Sequence, residues 1–341
     1  MLNFCTLFDV NYIDKALAMY KSLVRVRADF MLYVLCLDEY VYQVLENMQL
    51  DKLVLAHLWD FETPELLKIK KHRTKPEYCW TCTAASLEYF MNKYQLPDLT
   101  YIDADLYFYS NPQVLFDEIA DSKADVAIME HRFDDSRFGR ESMKSSGKYC
   151  VEFNYFNNSK NSREALTWWK ESCFDWCYQK YEPAHDGKIE RYGDQKYLEQ
   201  FPLLFKNVHE FQHIGAGVAP WNLSQYRLGK KDGFNIELRL IATNEPTTLV
   251  FYHFQNLKYI TNEWVNINSQ CKDKDLKYSI YYPYLIEVTK IRQMLEKEYS
   301  LSLDVKKSYS SNKVKAFVQR HIMPYRLRVL SDLINLKKII C

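Results

Sequence analysis

In the stretch Tyr101-Ile102-Asp103-Ala104-Asp105-Leu106-Tyr107-Phe108, an apolar and aromatic strand signal runs into two carboxylates one residue apart. In extended backbone, residues i and i+2 project to the same side. Asp103 and Asp105 are therefore expected to point at one spot where a strand ends. Two like charges held together repel unless a cation lies between them. Hard oxygen donors suit Mg²⁺ or Mn²⁺, which keep part of their shell for substrate phosphates. The pattern has two readings: a metal anchor for a diphosphate, or a polar turn between a strand and the next element.

Upstream, Leu2–Phe8 reads as a buried strand, Asp9-Val10-Asn11-Tyr12 as a polar turn, and residues 13–24 as a helix with Ile13, Leu17, Tyr20 and Val24 on one face. Residues 30–37 and 53–55 are two further apolar strands, with a helix between them running to Asn47. Strands alternating with helices imply a parallel sheet covered on both faces. A helix over about 78–94 then leads to the strand that carries Asp103 and Asp105. Ligands of open α/β sheets bind beyond the carboxyl ends of the strands. Asp9 and the Asp pair both lie there, so one nucleotide would touch both.

Downstream, residues 124–129 and 151–156 read as strands and residues 163–179 as a Trp-rich helix. Gly193-Asp194-Gln195 opens a short helix, and Thr248–Tyr252 is a late strand ending at His253. His253 is either a third metal ligand or a structural histidine. Past residue 262 the pattern changes: 284–298 looks helical, 306–313 like a linker, and 314–340 like amphipathic helices broken at Pro324. This gives a division into 1–262 and a helical extension, 263–341. From 305 to 341 there are nine Lys or Arg against one acid, Asp332. Such a tail, taken from 313 on, either lies on an anionic membrane surface or packs on its own domain with a solvated basic face.

The whole chain has 341 residues and a net charge of +1, which excludes a globally basic nucleic-acid binder. Its 27 Tyr, 19 Phe and 7 Trp suit sugar and base stacking as well as ordinary cores. No run of about 18 apolar residues marks a spanning helix. With no export signal visible and the nine cysteines scattered, a reduced, cytoplasmic protein is expected.

In order and content the motifs resemble GT-A glycosyltransferases, most nearly the retaining family 8 type. Phe8-Asp9-Val10-Asn11-Tyr12 is similar to that family's base-gripping loop, and Ile102-Asp103-Ala104-Asp105 to its metal-binding Asp-x-Asp. Phe153-Asn154-Tyr155 stands where the family has Phe-Asn-Ala-Gly, Asp194-Gln195-Lys196 resembles its Asp-Gln segment near the anomeric carbon, and His253 its last metal ligand. The resemblance implies a Rossmann-like, mostly parallel sheet flanked by helices. It also implies transfer of a sugar from a nucleoside-diphosphate sugar, UDP being the family's usual carrier, with Mn²⁺ or Mg²⁺ on Asp103, Asp105 and His253. Donor contacts would come from Thr6, Phe8, Asp9, Tyr12, Tyr78, Trp80, Asp103, Ala104, Asp105, Asn154 and Lys258, with Asp194 and Gln195 facing the reacting sugar. Acceptors would be saccharides or glycolipids of a surface polysaccharide, consistent with a peripheral place on the inner membrane face. Two departures stand out. Phe156 replaces the motif glycine after Asn154, and the ending His253-Phe254-Gln255-Asn256-Leu257-Lys258 lacks a glycine and brings Lys258 one place early.

A retaining front-face path needs no enzymic base at the acceptor; an inverting one does, and Glu152, Asp134 or Asp135 would serve. His213–Asn222 carries two glycines that permit close backbone approach, and Trp221, which would stack on a sugar; a plain turn is the other reading. Cys79-Trp80-Thr81-Cys82, with Cys173 and Cys177, admits redox, zinc and buried-thiol readings. A nucleotidyltransferase would bring a Gly-rich loop after the first strand, absent here, and a silent carbohydrate-binding protein would not need the intact acidic and histidine set.

Overall fold

A computed structural model describes residues 1–261, 263–267, 269, 271–303 and 333–340. Strand β1 (Leu2–Phe8) is apolar at most positions and buried throughout, so it fits only the middle of a sheet covered on both sides. Helix α1 (Ile13–Arg25) leads to β2 (Phe30–Cys36), α2 (Glu39–Met48) to β3 (Leu53–His57), and α3 (Leu58–Phe61), α4 (Pro64–Lys70) and α5 (Lys75–Tyr94) to β4 (Asp98–Ile102). Then come β5 (Leu106–Phe108), α6 (Gln113–Ser122), β6 (Val126–Glu130), α7 (Arg137–Ser146), β7 (Tyr149–Asn157), α8 (Lys160–Asp175), α9 (Phe201–Leu204) and β8 (Val208–Glu210). The seven-stranded sheet has the order β3-β2-β1-β4-β7-β6-β8. Only β7 runs against its neighbours β4 and β6. Phe4, Phe30 and Phe153 pack with α1 on one face, whereas Cys5, Leu7 and Leu99 pack with α5 and α8 on the other.

The Asp103–Asp105 segment is not extended. Leu106 N–H donates to the Asp103 carbonyl at 3.2 Å, closing a tight turn between β4 and β5. The late strand is also two strands: β11 (Pro246–Thr248) joins the small sheet of β9 (Tyr226–Asp232) and β10 (Asn235–Leu240), whereas β12 (Phe251–His253) pairs antiparallel with β5. Between them, Val250 N–H donates to Gly215 and its carbonyl accepts from Tyr109, so the chain changes sheets there. The Trp-rich helix ends at Asp175, leaving Trp176 and Cys177 outside it.

Beyond β12, β13 (Lys258–Thr261) and β14 (Trp264–Asn266) form a hairpin. Helix α10 (Lys274–Tyr299) begins ten residues before the expected start at 284 and carries Pro283 in its interior. The burial of Leu276, Ile280 and Tyr281 on one stripe outweighs the lost hydrogen bond of that proline. Tyr284 of α10 stacks on Phe254 at 3.7 Å, and Arg292 pairs with Asp14 of α1 at 3.1 Å. Leu333–Asn335, read from sequence as helix, is instead strand β15 on β14, followed by α11 (Lys337–Ile340). The expected linker at 306–313 and most of the basic segment lie outside the described residues. Among the described residues no helix is long and apolar enough to cross a membrane.

Candidate active site

The β4–β5 turn and the end of β12 meet because Leu106 and His253 are directly paired across the β5–β12 ladder. That rung places the imidazole against both carboxylates. His253 Nε2 lies 3.1 Å from Asp105 Oδ1 and 3.6 Å from Asp103 Oδ2. The other ring nitrogen, Nδ1, lies 2.6 Å from Glu152 Oε2. Glu152 is on β7, completely buried, and its second oxygen has no hydrogen-bond partner. With Nδ1 held by Glu152, Nε2 faces the two carboxylates, donating to Asp105 while the ring is protonated and serving as a ligand atom once that proton is lost. Two carboxylate oxygens and one imidazole nitrogen, all within 4.8 Å of one another, make an ion-paired cluster while the ring is protonated and a ligand set for a divalent cation when it is not.

The protonation balance reflects this crowding. Burial pushes Asp103 up to about 6; His253 opposes the rise and Asp105 and Glu152 add to it. Burial also acts to raise Asp105, but His253 and Lys15 outweigh it and hold it below the usual carboxylate range. His253 is raised well above an ordinary imidazole, because Asp105, Cys150 and Glu152 overcome the burial that would lower it.

The remaining expected residues divide into two groups. Asp9 caps the 3-10 turn Val10–Tyr12 through Asn11 N–H at 2.9 Å and pairs with Lys75 at the start of α5. Tyr12 is 42% exposed beside the Asp pair, whose charge raises its hydroxyl. Asp194 is buried, accepts a hydrogen bond from Thr83, and is pushed up to about 7 chiefly by burial. The Cys79 thiol is raised by burial first, then by Cys82, Asp9, Asp194 and Asp103, so three of the expected acidic residues surround it. These side chains and the ligand set gather beyond the carboxyl ends of β1 and β4.

The other group is buried, hydrogen-bonded within the protein or turned outward. Phe8 belongs to the core under α1, and Thr6 is wholly buried. Tyr78 donates to Glu62 of the α3–α4 link at 2.8 Å, and Trp80 packs beneath Gly193. Asn154 holds an irregularity in the β6–β7 ladder, its oxygen accepting from Met129 N–H and its amide donating to the Cys150 carbonyl, both at 3.3 Å. Gln195 donates to the Ser146 carbonyl at 2.8 Å. Ala104 is the buried middle of the turn. Lys258 opens β13 opposite Asn266, with its side chain exposed.

Three contributors were not legible as such: Glu152 as the partner of His253, Cys79 as a neighbour of the acidic residues, and Lys15, whose ammonium stands 4.0 Å from Asp105 Oδ2. Glu152 follows Cys150 and Val151 on a strand whose alternation would have placed it beside the site, had the pairing of β7 with β4 been known. The glycines of His213–Asn222 serve the protein rather than a ligand. A Cβ on Gly215 would lie 2.0 Å from the Thr248 carbonyl oxygen, and Gly217 has φ +64°. Trp221 donates to the His131 carbonyl at 2.7 Å and presents its ring edge-on to His253 at 5.5 Å, so it braces the histidine. Cys79, Cys82, Cys173 and Cys177 are free thiols. Among the described residues no three of them converge as metal ligands.

No protein-family model matches the sequence. The sheet order, the reversed β7 and the turn that carries the two aspartates define a glycosyltransferase fold of the GT-A class. A crystal structure of the galactosyltransferase LgtC with donor and acceptor sugar analogues superposes with a TM-score of 0.51 at 13% identity, over 85% of this chain and 96% of that one. The chain belongs to the same family as the uncharacterised proteins YfnD and YfnF of Bacillus subtilis (strain 168). It is 33% identical to YfnD over 289 residues, covering 84% of this chain and 88% of YfnD. It is 30% identical to YfnF over 309 residues, covering 87% and 96% respectively.

Proposed function

We propose that the chain is a metal-dependent glycosyltransferase. It takes a sugar from a nucleoside-diphosphate sugar, with UDP as the expected carrier, and passes it with retention to a saccharide or glycolipid acceptor of a surface polysaccharide. The observation that carries this reading is the convergence of Asp103, Asp105 and His253, drawn from two elements of a glycosyltransferase fold, on one point. The donor set fits Mn²⁺ or Mg²⁺: two hard carboxylates, of which Asp103 is partly exposed, and one imidazole whose ligand nitrogen is selected by Glu152. A cation bound there supplies charge to offset the departing diphosphate.

The chain's own residues do the rest. Asp9 and Tyr12 receive the base. Asp194, its carboxyl pushed up to about 7 chiefly by burial, would exchange a hydrogen bond with a hydroxyl of the reacting sugar. Gln195, fixed to Ser146, positions the loop that carries it. Retention rests on the resemblance to the retaining family 8 type, and two of the three carboxylates that an inverting path could use are already engaged. Glu152 is sealed behind His253, and Asp134 caps the turn at Ser136. Asp135, its neighbour, lies on the same excursion between β6 and α7. The basic segment 313–341 would bring the enzyme to an anionic inner membrane face, where glycolipid acceptors lie.

A thermal-shift panel of nucleoside diphosphates and nucleotide sugars, with and without Mn²⁺, tests the reading. Stabilisation that requires both one nucleotide and the metal is expected. Asp105→Ala should abolish sugar transfer while keeping the fold; unchanged turnover in that variant would sink the assignment.

A further inference from the structure

Lys15 stands where a lysine weakens its own helix. It is the third residue of α1, in a first turn whose dipole favours acids and opposes cations. A local rule broken in this way commonly marks a functional position. The side chain is only 12% exposed, so most of its hydration is lost. In return it gains the face of the Tyr12 ring at 4.0 Å and Asp105 Oδ2 at 4.0 Å. The carboxylate is beyond hydrogen-bond reach, since N⁺–H···O⁻ bonds are about 2.7–2.9 Å long. Among the described residues the ammonium makes this one ion pair and no hydrogen bond, leaving its three donors uncommitted.

Its position is as telling as its lack of a hydrogen bond. His253 approaches Asp105 through Oδ1, at 3.1 Å, and Lys15 approaches through Oδ2. The imidazole side is the proposed metal end of the site. The lysine side leads to Tyr12 and, through the same short loop, to Asp9, the base end. Lys15 lies between the two ends, against Tyr12 on one side and Asp105 on the other. Lys258, the lysine that the degraded motif after His253 would put in this role, sits instead on the exposed start of the β13–β14 hairpin.

We propose that Lys15, not Lys258, is the cation that holds the nucleoside diphosphate. This rests on the donor assignment above. Lysine suits the task as a compact point charge on a flexible stem, able to follow the phosphates as the sugar leaves.

Isothermal titration calorimetry in Mn²⁺ provides the test. UDP, GDP, ADP and CDP are titrated into the wild type, and the tightest binder is compared with its own nucleoside in Lys15→Met, Lys258→Met and Asp105→Ala. Lys15→Met should weaken the diphosphate about 10- to 100-fold, the worth of a charge-assisted hydrogen bond, with nucleoside affinity unchanged. Direct Mn²⁺ titration, read by electron paramagnetic resonance, should show affinity equal to or tighter than wild type, because a cation beside Asp105 has been removed. Lys258→Met should stay within about twofold on the same scale. Diphosphate affinity within twofold of wild type in Lys15→Met, or an equal loss for nucleoside and diphosphate, overturns the proposal. Lys15→Gln repeats the measurement should the Met variant fold poorly. A wild type that binds no nucleoside diphosphate with metal overturns the donor assignment itself, whereas loss in Lys258→Met alone overturns only the choice of lysine.

Discussion

A histidine offers a cation one nitrogen at a time, and in His253 the choice is made by Glu152. Its carboxylate takes Nδ1–H at 2.6 Å and keeps Nε2 turned to the aspartates. Glu152→Leu should lower Mn²⁺ affinity about 10- to 100-fold, as loss of such a partner typically does. Glu152→Gln, whose amide oxygen can still accept Nδ1–H, should lose less; paramagnetic resonance titration of Mn²⁺ would separate the two. Asp194 carries a different prediction. Its carboxyl titrates near 7 in the folded chain and near 3.8 unfolded, so folding favours the protonated form. That contribution is complete below about pH 4 and is lost as pH rises through 7, amounting to about 4 kcal/mol at most. Asp194→Asn removes the dependence. The stability of the metal-free variant relative to wild type should therefore grow between pH 5 and 8 in denaturant melts, and a constant difference would contradict the buried, neutral carboxyl.

At the scale of elements, the segment His213–Asn222 holds β12 in place by backbone contact. Val218 accepts from His253 N–H at 2.9 Å and Gly215 from Val250 N–H at 2.8 Å. Gly215→Ala would drive a Cβ into the Thr248 carbonyl, where neither backbone has room to yield. A loss of at least about 2 kcal/mol is expected, with metal affinity falling alongside because His253 shifts; thermal melts and Mn²⁺ titration read both. Much of this architecture was legible. The strands that feed the site, β1 and β4, are apolar runs ending in aspartates, and the β–α alternation fixed their parallel order. What could not be read depends on pairing between distant strands. Nothing local reveals that Thr248 and Phe251 belong to different sheets, or that Glu152 faces His253. Likewise Asn154 resembles a donor-contacting residue until the irregular β6–β7 register shows its amide spent on two backbone groups. Lys15 looked like one more polar residue on a helix, because its meaning comes from Asp105, ninety residues on.

At the scale of the whole molecule, α10 completes the core that lies under the site. Tyr281, Tyr284, Leu285, Val288 and Ile291 are fully buried, packed with Tyr107, Tyr252 and Phe254. A chain ending at residue 272 would expose that aromatic face. It should partition to the insoluble fraction and show no cooperative melt; a soluble, cooperatively melting product would refute this dependence. The rung that joins Leu106 to His253 has a kinetic consequence as well. Asp105 and His253 are separated by 148 residues, one of the longest loop closures within the described residues that the site requires. Contacts of such separation form late, after their closure entropy has been met by the rest of the structure. During synthesis the N-terminal half emerges with both aspartates but without His253, so the proposed metal site would be incomplete until β12 has left the ribosome and docked. On the proposed function, metal-dependent nucleotide binding would report completed folding, and its appearance in a refolding time course should trail the recovery of secondary structure.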